Sequence, residues 1–132
     1  MTGTLILLSS VATVFLIWGI RAAVRKKRRG DLQRLRLSDD QRRAIASDFP
    51  LFARLPIQLR EELEGIMHVF LAEKSFEACG GLESVTGHMR HVIAAQACLL
   101  LVNRKHSYYR SLRSILLYPS AYKARDEHGD HD

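Results

Sequence analysis

Phe70-Leu71-Ala72-Glu73-Lys74-Ser75-Phe76-Glu77-Ala78-Cys79-Gly80-Gly81-Leu82-Glu83 and, beyond a polar turn, Ile93-Ala94-Ala95-Gln96-Ala97-Cys98-Leu99-Leu100-Leu101 decide the fold. Two apolar segments meet across a double glycine. Gly80-Gly81 breaks any regular period and marks a structural turn. From Val92 to Val102 the only polar side chain is Gln96. A helix apolar on all sides is normally buried on all sides, so this second segment is expected at the centre of the body. A buried amide needs partners, so Gln96 is expected to pin the backbone of a neighbouring element.

Upstream, Pro56 suits the first turn of a helix. Leu59, Leu63, Ile66, Met67, Phe70 and Leu71 then recur at helical spacing, which predicts an amphipathic helix ending near Glu73. Arg60, Glu61, Glu62 and Glu64 fill its other face, read as solvated. Nothing apolar surrounds that face to shift a carboxyl pKa, so the acids are not taken as a catalytic pair. Residues 31–47 are polar and read as a helix or a loose connector. Downstream, Phe76–Ala78 and Leu82–Val85 are short extended pieces around the glycines. Thr86 is a plausible N-cap for a helix from Gly87 to about Asn103. Ile115-Leu116-Leu117-Tyr118, stopped by Pro119, fits a strand buried on both faces. The polar end, with His128 and His131, reads as a solvated terminus.

The amino terminus is different. Leu5–Val24 is apolar apart from Arg21 and small polar residues, and as a helix spans roughly 30 Å, one hydrocarbon core. Arg21 can snorkel to the headgroups, and Trp18 suits an interface. Arg25–Arg29 is wholly basic. Positive residues stay inside, so the expected topology is a single-pass anchor in an inner or plasma membrane, amino terminus out and body in the cytoplasm. A cleaved signal peptide fits worse, since Met1–Thr4 has no basic side chain and no good cleavage site follows.

Charge is concentrated at that junction. Residues 21–43 hold ten of the twenty basic side chains and three of the fourteen acids, so they carry +7 and the rest of the chain −1. A nucleic-acid domain would carry its basic footprint on the folded body. No aromatic side chain interrupts Arg21–Ser47 to stack on bases. Lipid headgroups are the expected partner of Arg25–Arg29 and direct nucleic-acid binding is not expected. The two cysteines, Cys79 and Cys98, read as buried reduced thiols.

Phe70–Lys74, Phe76–Glu83, Ile93–Leu101 and the Leu112–Pro119 segment together resemble the glucose-regulated zinc metallopeptidases typified by the Mlc titration factor A. The likeness covers about Phe49 to Tyr122. It implies a zinc-dependent peptidase fold, zinc as cofactor and association with a transcriptional repressor of sugar uptake. Such peptidases carry His-Glu-x-x-His on a helix: two histidines one turn apart bind zinc and the glutamate activates water. In this chain no histidine is followed by glutamate, and no two histidines are four apart. The resemblance places that motif further along than residue 132. His88 and His91 lie three apart and are weak metal candidates, as is the tail with His128 and His131, for which a solvated terminus is the preferred reading. The resemblance has acidic residues near Gly87 and His88, so these histidines depart from its pattern.

The fold expected is α+β and mainly helical: an N-terminal transmembrane helix followed by an incomplete zincin-like domain. The divisions expected are 1–24 anchor, 25–47 basic juxtamembrane linker and 48–132 the amino-terminal part of a zinc-peptidase-like domain. Fold kinship does not supply an activity whose residues are missing, so the 132 residues alone are expected to be inactive. The alternative is a non-enzymatic membrane-tethered domain that binds the repressor. Gly80, Gly81 and Gln96 are the expected structural residues, and no catalytic residue is assigned.

Overall fold

In a computed structural model, which describes residues 1–119, the chain opens with a single helix, α1 (Thr2–Gln33). It is followed by α2 (Asp39–Asp48), α3 (Pro50–Arg54), α4 (Ile57–Glu73), β1 (Ser75–Ala78), α5 (Gly87–Leu99) and β2 (Ser114–Leu117). Tyr122, His128 and His131 lie outside the described residues. Among the described residues the architecture is mainly helical, with one small sheet.

α1 buries none of its residues, and Leu5 to Val24 point bare apolar side chains outward. It is long and apolar enough to cross a bilayer. It does not stop at the basic run but carries it on to Gln33, where the helix docks on α4. The approach is close: a Cβ on Gly65 would lie 2.6 Å from the Gln33 carbonyl oxygen. Glycine at that position lets two backbones touch.

The segment read as a linker therefore packs against the body along its second half. Ser38 caps α2 reciprocally: Gln41 N–H donates to Ser38 Oγ at 3.2 Å, and Ser38 N–H donates to Gln41 Oε1 at 3.0 Å. Two orphan donors are satisfied at once. Asp39 and Asp40 sit in the first turn, where the helix dipole favours them. Leu37 and Ile45 are buried in the same core as Phe52.

α4 forms as its spacing predicts and ends at Glu73. Leu63, Ile66, Met67, Val69 and Phe70 are buried along it. α4 and α2 both pack against α5. Thr86 caps α5 as expected, accepting from Met89 N–H at 3.2 Å. α5 is shorter than expected: after Leu99 the chain tightens into turns, and Asn103 takes a left-handed conformation (φ 57°). Nor is it buried on all sides. Ala94, Ala95 and Cys98 face the core, while Gln96 is exposed and Leu100 is 66% exposed. Gln96 thus points away from the elements it was expected to pin, because α2 and α4 cover only one side of the helix.

β1 and β2 pair in parallel, Ser75 opposite Ser114 through Ala78 opposite Leu117, with α5 in the crossover. The ladder continues where Cys79 N–H donates to the Leu117 carbonyl at 2.8 Å. Gly80 (φ 63°) and Gly81 (φ 90°) then turn the chain away, and a Cβ on Gly80 would lie 2.6 Å from the Tyr118 ring. Residues 82–85 form no strand, a correction to the second extended piece. β2 is not buried on both faces. In each strand the burial alternates, with Phe76, Ala78, Ile115 and Leu117 half-buried and Leu116 52% exposed. Only one face of the sheet is covered.

Candidate functional site

The capping of α5 by Thr86 places His88 and His91 on its first turn and a half. The His88 Nε2 lies 2.5 Å from Asp48 Oδ2, at the end of α2, as an exposed pair. The His91 Nδ1–H donates to the Gly87 carbonyl at 2.6 Å, inside its own helix. Both histidines line an open depression of about 360 Å³ beside Asp40 and Ala44. His68 approaches from α4. Burial, then the neighbouring His91, pushes its pKa below the ordinary histidine value, and its Nε2 is buried without a hydrogen-bond partner. Each of His88 and His91 has one nitrogen committed. Among the described residues no three His, Cys, Asp or Glu side chains gather as metal ligands would.

The polar centre of the body lies elsewhere. Glu64, read in sequence as part of a solvated face, is fully buried. Its carboxylate takes Arg42 Nε at 2.7 Å and Arg42 Nη2 at 3.0 Å, one on each oxygen. It also accepts Leu37 N–H at 3.1 Å. Burial alone would raise the Glu64 pKa, but the Arg42 and Leu37 hydrogen bonds outweigh it and hold the carboxyl below the usual range. The bidentate fork suits a guanidinium and not an ammonium. Three donors satisfy one buried anion, and the geometry ties α2 and the turn before it onto α4. This is a structural junction: both carboxylate oxygens are taken by donors of the protein itself.

A second polar set holds the loop between α5 and β2. Lys74, directly after α4, is buried, and its Nζ donates to the carbonyls of Tyr109 and Leu112, each at 2.7 Å. Tyr108 (φ 55°) and Tyr109 (φ 51°) are both left-handed, a costly state for bulky residues of about 1–3 kcal/mol each. They are held from several sides. Arg29 lies 4.7 Å over the Tyr108 ring, and Gln33 hydrogen-bonds the Tyr108 hydroxyl. The Tyr109 hydroxyl donates to Ala97 O at 2.8 Å, and its ring meets Phe70 edge-on. Arg29 also forks onto Glu73 at 2.6 and 2.8 Å. The end of α1 is therefore a working part of the body.

Among the described residues no activated nucleophile emerges from this arrangement. Cys98 is a free thiol in the core, and burial pushes its pKa up to about 12. It stays a neutral thiol at neutral pH. Cys79 is free and half-buried beside the glycine turn. Glu61 and Glu62 are exposed; Glu61 lies 3.8 Å from Arg36, and Glu62 accepts Asn103 N–H at 2.8 Å.

The family model described as glucose-regulated metallopeptidase M90 matches residues 22–132. An uncharacterized protein of Synechocystis sp. is 40% identical over 83 residues, which is 62% of this chain and 30% of that protein. The aligned region is thus under a third of that relative's length. No solved structure matches the chain. The family match begins at Ala22, so it takes in the basic half of α1, where Arg29 and Gln33 join the body. It covers well over half of the sequence, and on that ground the chain belongs to the glucose-regulated metallopeptidase M90 family.

Proposed function

We propose that this chain is a membrane-anchored scaffold portion of a glucose-regulated metallopeptidase, without peptide-bond hydrolysis of its own. The family implies a metal such as zinc. Among the described residues the donors do not fit it: His88 is committed to Asp48 and His91 to its own helix, and the sequence holds no His-Glu-x-x-His. No hydrolytic step is assigned to any residue.

The observation that carries the scaffold reading is the parallel β1–β2 pair. Parallel strands are almost always buried on both faces within a larger sheet. Two strands alone are marginal. Here the open face holds Ser75, Glu77, Ser114 and Leu116, and the apolar members of the rim are Leu116 and, at the end of the crossover helix, Leu100. That rim suits a covering element, and the zinc-bearing part of such a peptidase is the natural one. The apolar half of α1 supplies the anchor, and its basic end sets the amino terminus outside and the body on the cytoplasmic side.

Purified without a histidine tag, the 132-residue chain should contain no stoichiometric zinc and hydrolyse no peptide. Mixing with a family polypeptide that bears the zinc motif should give a complex. Zinc-dependent hydrolysis by the chain alone would overturn the proposal. The same rim favours a second reading, docking of the transcriptional repressor that the family resemblance implies. Co-purification with such a repressor, lost on making Leu116 polar, would support it.

A further inference from the structure

Between the last apolar turns of α1 and the loop before β2 lies an open groove of about 740 Å³. On the α1 side, Ile20, Val24 and Arg28 form one row at four-residue spacing, and Arg21, Arg25 and Arg29 form the adjacent row. The first row changes from apolar to basic along the helix, in the direction in which a bilayer gives way to headgroups, and the second is basic throughout. Facing them are Lys74 and its neighbour Glu73, and then Arg110, Leu112 and Arg113. Seven basic side chains and a single acid line the groove.

The acid is already used, since Glu73 takes the fork of Arg29. Lys74 is spent on the carbonyls of Tyr109 and Leu112, which fixes the loop that carries Arg110 and Arg113. Arg21, Arg25, Arg28, Arg110 and Arg113 form no salt bridge among the described residues. Five unpaired guanidiniums around one groove repel each other unless an anion joins them. Planar, multidentate donors match phosphate oxygens. Ile20, Val24 and Leu112 give the groove an apolar side that a free anion would not use.

We propose that this groove binds the phosphate headgroup of an acidic phospholipid, with the glycerol and upper acyl chain against Ile20, Val24 and Leu112. This rests on the anchor reading of α1. It goes beyond a basic run drawn to a charged surface, because half of the site comes from the folded body. A bound headgroup would set the body's orientation against the membrane through the loop that leads into β2.

The full chain would be tested by flotation on neutral phosphatidylcholine vesicles and then by lipid retention from phosphatidylcholine–phosphatidylglycerol nanodiscs, read by native mass spectrometry. R110A/R113A removes two groove charges and leaves α1 intact. R104A/K105A removes two exposed charges outside the groove. Both should float like the parent, with matching melting curves. The groove variant should lose on the order of tenfold or more of the phosphatidylglycerol preference, and the control less than about threefold. Equal losses in the two variants would overturn the site in favour of diffuse surface charge. Displacement of the lipid by millimolar inorganic phosphate would make it a site for soluble anions and overturn the lipid assignment. Failure to float on neutral vesicles would sink the anchor itself, whereas flotation without acidic-lipid preference would sink the groove alone.

Discussion

The two sides of the body are built to different standards. On the side facing α1 and α2, the polar groups are matched: Glu64 has three donors, Ser38 and Gln41 cap each other, and Arg29 and Glu73 interlock. On the side of β1, α5 and β2, a parallel pair lies with one face open and large apolar side chains in solvent. A polar network inside a core is useful only when every member is satisfied. An apolar rim this exposed is characteristic of a surface that meets something else. The first side is a finished junction between the basic end of α1 and the body. The second is the face that the proposed covering element would meet.

Breaking the finished side should cost most. Arg42→Ala would strand a fully buried carboxylate, and loss of one partner of a buried pair typically costs about 3–5 kcal/mol. Denaturant unfolding of the detergent-solubilised chain would read this as a large drop in midpoint or outright loss of the transition. The double variant R42M/E64M should recover most of the stability, because two apolar side chains of similar volume leave no orphaned charge. No recovery would mean that the fork is not the source of the loss.

Gly65→Ala comes next. The new methyl would meet the Gln33 carbonyl at 2.6 Å, so α1 must shift off α4. Overpacking of this kind costs about 1–3 kcal/mol, against a helix-propensity gain of about 1 kcal/mol. Faster amide exchange in the last turn of α1 would be the local sign.

Acid should act on the same side. The carboxyls of Glu64 and Glu73 are both held below their ordinary value: Glu64 by Arg42 and Leu37 against its burial, Glu73 chiefly by the Arg29 hydrogen bond. A depressed carboxyl stabilises the fold fully above the unfolded pKa of about 4.3, and that stability fades as pH falls through the folded value. Melting temperature should therefore fall below a pH of about 4.3, after a shallower decline below about 6.5 that comes from His68, whose buried imidazole is held below its ordinary value. The Glu73 part will be small, since its side chain is a quarter exposed.

The smallest effect belongs to the open side. Leu100→Gln and Leu116→Gln should each change stability by less than about 0.5 kcal/mol and improve solubility, since neither side chain leaves a packed site. A loss of about 2 kcal/mol or more would show that the rim is already covered, and sedimentation would detect a cover made by self-association.

Much of the fold was legible in the residues. The α4 spacing, the Thr86 cap and the Gly-Gly turn all correspond to observed local structure, because each is dictated by neighbours in sequence. What escaped was long-range. Glu64 lies seven residues before Leu71, so on a helix the two are only about 20° apart, at the edge of the apolar stripe. That position, with Arg42 on a segment opened by Ser38-x-x-Gln41, was the available signal for a buried pair. The burial of Gln96 was misread for the opposite reason. Composition showed an apolar helix, but burial depends on what packs around it, and here two helices cover one side. For the same reason the strand at Ile115 was recognisable while its second covered face was not. The candidate site was legible mainly by its gap: no arrangement of these six histidines yields the zinc motif.

Residue-resolved hydrogen exchange on the full chain in nanodiscs tests the difference between the two sides most directly. The account predicts the slowest amides in the middle of α4, from Leu63 to Phe70, and in the first turns of α2. Amides of β1 and β2 should exchange at least about a hundredfold faster, as expected of a low-stability unit on an open face. Equal protection in the strands and in α4 would contradict it, and would mean that the sheet side is complete without a partner.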